Sequence, residues 1–174
     1  MDQYEQARKI LQEALEIAPN NVEVLRQYAK VTAKLGKLKE AFDIFDKALD
    51  ISPDNVDVLR NYGAVLVDAN YLDKAIVIFK KAIIIAPNDV KVLSSYSKAL
   101  RIIGDIEKRL FILEHSMQIQ PDNIRTQESY IKVIDVLRKQ SLILMIKNEH
   151  YFTVLEVSLR QSLTMILPCK CYSK

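Results

Sequence analysis

The sequence predicts an all-α fold built from stacked copies of one short unit, and three observations predict it. Pro19, Pro53, Pro87 and Pro121 recur at a constant step of 34 residues, and self-similarity at a fixed period of this size marks a stacked array. Two residues after each proline stands a helix-capping side chain: Asn21, Asn55, Asp89 and Asn123. Between these markers the apolar pattern repeats. Leu25, Tyr28, Ala41, Phe45 and Ala48 of one copy correspond to Leu59, Tyr62, Ala75, Phe79 and Ala82 of the next.

The totals agree. A chain of 174 residues, 49% hydrophobic and 27% charged, suits one folded domain of ordinary size. Its three Gly and five Pro serve as punctuation rather than as low-complexity sequence. A net charge of +3 is too mild to point to nucleic acid. The N-terminus lacks a basic start followed by an apolar run, so no secretory signal is expected. No apolar run approaches the ~18 residues of a membrane span. A cytoplasmic location and no membrane partner are the expectations. Cys169 and Cys171 are too few for a disulfide framework or a metal site, and His115 and His150 stand at no ligand spacing to them. No metal and no cofactor are expected.

Taken in order, residues 2–17 read as a helix, because Ala7, Ile10, Leu11, Ala14, Leu15 and Ile17 recur at three- and four-residue steps. Pro19 stops it, since its ring and missing N–H cannot continue a helix. Asn21 starts the next, whose inner stripe is Leu25, Tyr28, Ala29 and Thr32. Gly36 stands where the chain must turn through a left-handed conformation, and Asn70 and Gly104 take the same place in the following copies. Residues 37–51 form the second helix of this unit. Ala29 and Ala41 mark where the two helices approach closely, and Gly63 takes the place of Ala29 in the next unit.

The unit at 89–122 departs from the pattern. Arg109 stands where Ala41 and Ala75 stood, and Ser116 replaces Ala48 and Ala82. Arg109 either overpacks a tight contact or threads its stem outward, so looser packing is expected here. One more first helix is read over 123–138. After it the pattern fails, and residues 139–174 are read as a divergent closing helix or two with a tail, covering the last unit's face.

These residues resemble the tetratricopeptide repeat. The resemblance covers about residues 2–138: a half repeat at 2–20, full repeats at 21–54, 55–88 and 89–122, and a first helix at 123–138. It implies a right-handed superhelical solenoid of antiparallel helix pairs. It also implies that the first helices line a concave groove where partner peptides bind. The groove positions it carries over include Arg26, Lys30, Arg60, Asn61, Lys91, Lys98, Arg101 and Lys132. Cations dominate this set, and a concave stripe of one sign attracts ligands of the other. Asn61 is expected to bond a ligand's main chain.

Some co-chaperone members of the family clamp a C-terminal carboxylate. Their clamp places hold Arg26, Lys30, Asn61, Lys91 and Ser95 here, and Lys30 and Ser95 depart from the clamp's Asn and Arg. Tyr28, Tyr62, Tyr96 and Tyr130 share the period and invite a base-stacking ladder, but the resemblance makes them core. No Gly-rich phosphate loop, nucleophile elbow or metal spacing occurs, so no catalytic residue is expected.

The functional expectation is a non-catalytic protein–protein interaction scaffold that holds an acidic or extended peptide segment. Two alternatives stand beside it. One is the regulatory or substrate-docking array of a larger enzyme, such as a glycosyltransferase, motivated by the start in mid-repeat. The other is self-association into a homo-oligomer through the incomplete N-terminal repeat, whose Ile10 lacks a partner helix.

Overall fold

Local signals set where each helix begins and ends. The structure, a computed structural model, describes residues 2–147. They form α1 (Asp2–Ile17), α2 (Val22–Lys34), α3 (Leu38–Ile51), α4 (Val56–Asp68), α5 (Leu72–Ile85), α6 (Val90–Ile103), α7 (Ile106–Ile119) and α8 (Ile124–Lys147), with no strand among the described residues. The four capping residues act as their spacing predicts. Asn21 Oδ1 accepts from the N–H groups of Glu23 and Val24 at 3.1 and 3.2 Å. Asn55 accepts from Val58 at 3.0 Å, Asp89 from Lys91 and Val92 at 2.8 and 3.1 Å, and Asn123 from Thr126 at 3.1 Å. Each bond satisfies a first-turn donor that the helix itself leaves unpaired.

The turns between paired helices follow the same logic. Gly36, Asn70 and Gly104 have φ of 80°, 63° and 83°, the left-handed region that Gly and, next best, Asn tolerate. The following N–H in each case reaches back into the helix: Lys37 to the Thr32 carbonyl at 3.2 Å, Tyr71 to Leu66 at 2.8 Å and Asp105 to Leu100 at 3.1 Å. This closing pattern uses up helix-end carbonyls and sends the chain back against the helix it has just left.

Met1–Gln127 forms one compact unit, and Glu128–Lys174 falls in a second. In the first unit α2 packs on α3, α4 on α5 and α6 on α7, while α2, α4 and α6 also pack side by side. The core lies between these layers. Phe45 of α3 stacks on Tyr62 of α4, with ring centroids 5.0 Å apart and planes 12° apart. Phe79 of α5 meets Tyr96 of α6 at 5.9 Å and 42°. Gly63 is the close-approach position its place in the pattern predicts: a Cβ there would lie 2.8 Å from the Phe79 ring. Tyr62, Tyr96 and Tyr130 are buried and Tyr28 is half-buried, so these rings belong to the interior.

The third repeat differs from the first two. Arg109 does not thread clear of the interior. It is half-buried, and its Nε is fully enclosed with no hydrogen-bond partner. Burial, and then the nearby charge of Arg101, push its pKa down. Ser116 Oγ is likewise buried and unpartnered.

The array also ends differently from the expectation. The first helix read over 123–138 does not stop at Arg138: α8 continues to Lys147. Arg138 occupies the turn place held by Gly36, Asn70 and Gly104, and a side chain of that kind is disfavoured at positive φ, so the helix runs on. The predicted helix over 151–167, and His150, Cys169 and Cys171, lie outside the described residues.

Candidate functional site

The side-by-side packing of α2, α4 and α6 decides which groove residues meet. Arg26 and Lys30 lie one turn apart on α2, and Arg60 lies on α4. Burial lowers the pKa of Lys30, and the charges of Arg26 and Arg60 lower it further. The three cations are therefore near neighbours. Two of them carry an anion from their own helix. Arg26 is ion-paired with Glu23, and Arg60 Nη2 lies 2.7 Å from Asp57 Oδ1. The bond to Arg26 holds the Glu23 carboxyl below the usual carboxylate range, and the bond to Arg60 does the same for Asp57. Asp57 feels Arg26 and Lys91 as well.

Arg60 also belongs to a second group. With Lys91, Ser94, Ser95 and Lys98 of α6 and Arg125 and Thr126 of α8, it lines an open cleft of about 660 Å³. The capped starts of α6 and α8 form its rim through Asn88, Asp89 and Asn123. No ion pair among the described residues engages Lys91 or Lys98. The third repeat thus leaves its lysines open where the first two pair their arginines.

Not every predicted residue joins this face. Asn61 is buried, and its amide donates to its own helix at the Asp57 carbonyl, 2.7 Å away. One of its two amide N–H donors is thus taken up within α4. Ser95 does line the cleft, but its Oγ donates to its own helix at the Lys91 carbonyl, 2.9 Å away. Arg101 is exposed and neighbours Arg109, outside the cleft lining. Lys132 is exposed and lies in the second unit. The pairing of Glu23 with Arg26 and of Asp57 with Arg60 follows a signal readable in the sequence, an acid three residues before a cation on a helix. No cluster of His, Cys, Asp or Glu suited to a metal occurs among the described residues. No helix among them is long and apolar enough to cross a membrane.

The architecture defines a class: an all-α solenoid of repeated helix pairs. The family model for the tetratricopeptide repeat matches residues 1–41 and 32–99, and the chain belongs to that family. No curated protein matches it in sequence. Among solved structures, PilF of Pseudomonas aeruginosa is similar with a TM-score of 0.71 at 21% identity, over 79% of this chain and 63% of that one. MamA is similar with a TM-score of 0.66 at 19% identity, over 76% and 77%. The first repeat domain of Spaghetti (RPAP3), solved with the HSP90 peptide SRMEEVD, is similar with a TM-score of 0.62 at 20% identity, over 67% and 95%. At these identities the likeness is one of fold.

Proposed function

We propose that this chain is a non-catalytic protein–protein interaction scaffold that holds an acidic, extended peptide segment against α2, α4 and α6. The observation that carries the reading is the arrangement of cations. Arg26, Lys30 and Arg60 are gathered on α2 and α4, and Arg60, Lys91 and Lys98 line one open cleft. A desolvated guanidinium or ammonium gains most from a carboxylate, and a guanidinium can hold one by two parallel bonds. The fold relative solved with SRMEEVD supports the same chemistry, since that peptide carries three acidic residues. The triple charge reversal Arg26→Glu, Arg60→Glu, Lys98→Glu is expected to abolish binding of acidic peptides and its salt dependence. Unchanged affinity in that variant, with the helical circular dichroism preserved, removes the reading.

A second reading rests on α1. None of its residues is fully buried, and Ile10 and Ile17 are 65% and 88% exposed. Isolated apolar residues on a surface are ordinary, whereas a contiguous apolar face marks a contact site. Self-association through α1 predicts a concentration-dependent mass in sedimentation that Ile10→Glu abolishes; a monomer at every concentration ends it.

A further inference from the structure

We infer that the anionic group of the partner seats in the cleft bounded by Arg60, Lys91 and Lys98, and that Asp57 is its built-in competitor. This rests on the reading of the groove as an acceptor of acidic peptides and assigns it a place and a control. The repeat period makes the argument. Glu23, Asp57 and Lys91 occupy the same place in successive repeats, and Arg26, Arg60 and Ser94 occupy the place one turn on. In the first two repeats these places form an internal ion pair; in the third the acid has become a lysine and its partner a serine.

The groove therefore changes character along its length. Arg26 is satisfied by Glu23, with a side chain only 12% exposed. Lys91 and Lys98 have no such partner among the described residues, and they face the open cleft. Arg60 stands at the junction. It lines the cleft, yet its guanidinium is held by Asp57. A ligand carboxylate entering the cleft must share Arg60 with Asp57 or displace it. Asp57 lies under the influence of Arg60, Arg26 and Lys91 together, the environment that a ligand carboxylate would seek. It acts as an internal stand-in that lowers affinity for weakly acidic segments and leaves strongly acidic ones able to compete. The neighbouring Asn61 bond goes to the Asp57 main chain, not its carboxylate, so removing the charge leaves that contact in place.

The test uses a fluorescein-labelled hexaglutamate peptide and the full chain, read by fluorescence anisotropy at low salt, with thermal melts of every variant. Asp57→Asn is expected to tighten binding by about two- to fivefold, the range of one exposed ion pair. Glu23→Gln is expected to change it less, because Arg26 does not line the cleft. Arg60→Gln and Lys98→Gln are expected to weaken it. Should Arg60→Gln and Lys98→Gln weaken binding while Asp57→Asn and a second neutral variant, Asp57→Ser, leave it unchanged or weaker, the competitor role is overturned and the acidic-groove reading stands. Should neither Arg60→Gln nor Lys98→Gln change it, both fall.

Discussion

The first two complete repeats and the third share a backbone plan but differ in what fills it. In the first two, Ala41, Ala48, Ala75 and Ala82 are fully enclosed, and Phe45 and Phe79 pack on the tyrosines of the next first helix. In the third, the corresponding places hold Arg109, Ser116 and Leu113, and two of those side chains bury a polar atom without a partner. The same repeat also lacks the internal ion pair of its groove face. Capping and turn chemistry are retained in all three. The contrast teaches that a repeat keeps its shape through local signals at its ends, while its interior and its inner wall are free to diverge.

The comparison can be broken most strongly at Phe79. Replacing it with Ala empties the space beside Gly63 and Tyr96, and Phe79→Ala should cost about 3–5 kcal/mol. Urea unfolding followed by helical circular dichroism measures this, and a cost below that of Leu113→Ala would mean that the third repeat is the better packed of the two. A smaller effect is expected at Gly63. The Gly63→Ala methyl would press on the Phe79 ring, a strain of about 1–3 kcal/mol, offset by about 1 kcal/mol of helix propensity. A net loss of about 1 kcal/mol is expected, and a gain would show that the ring moves freely. The smallest effect has the opposite sign. Arg109→Met keeps the length of the stem and removes the half-buried charge, so it should stabilise the third repeat by about 1 kcal/mol. A loss instead would reveal that the guanidinium has a partner in solution.

Much of the fold was legible because its instructions are local. The stop at Pro53, the cap at Asn55 and the left-handed turn at Asn70 act within a few residues of themselves, and each is written in side-chain chemistry. Arg138 is equally local. It sits in the turn place and cannot take the turn easily, so α8 runs through it to Lys147. Groove residues were less legible. Spacing places Asn61 on the inner face of α4, but whether its amide faces out or folds onto the Asp57 carbonyl depends on rotamer and burial, which spacing does not contain.

By itself the sequence determined the repeat, its period, its helix ends and the odd position of Arg109, because hydrophobic periodicity, capping and turn propensity are properties of short stretches. Only the tertiary structure decided that Arg60 belongs to two neighbourhoods at once, beside Arg26 and Lys30 on one side and beside Lys91 and Lys98 on the other. Those residues are far apart in the chain. Their meeting depends on α4 packing between α2 and α6, and the field that a ligand would feel is the sum of charges brought together in space.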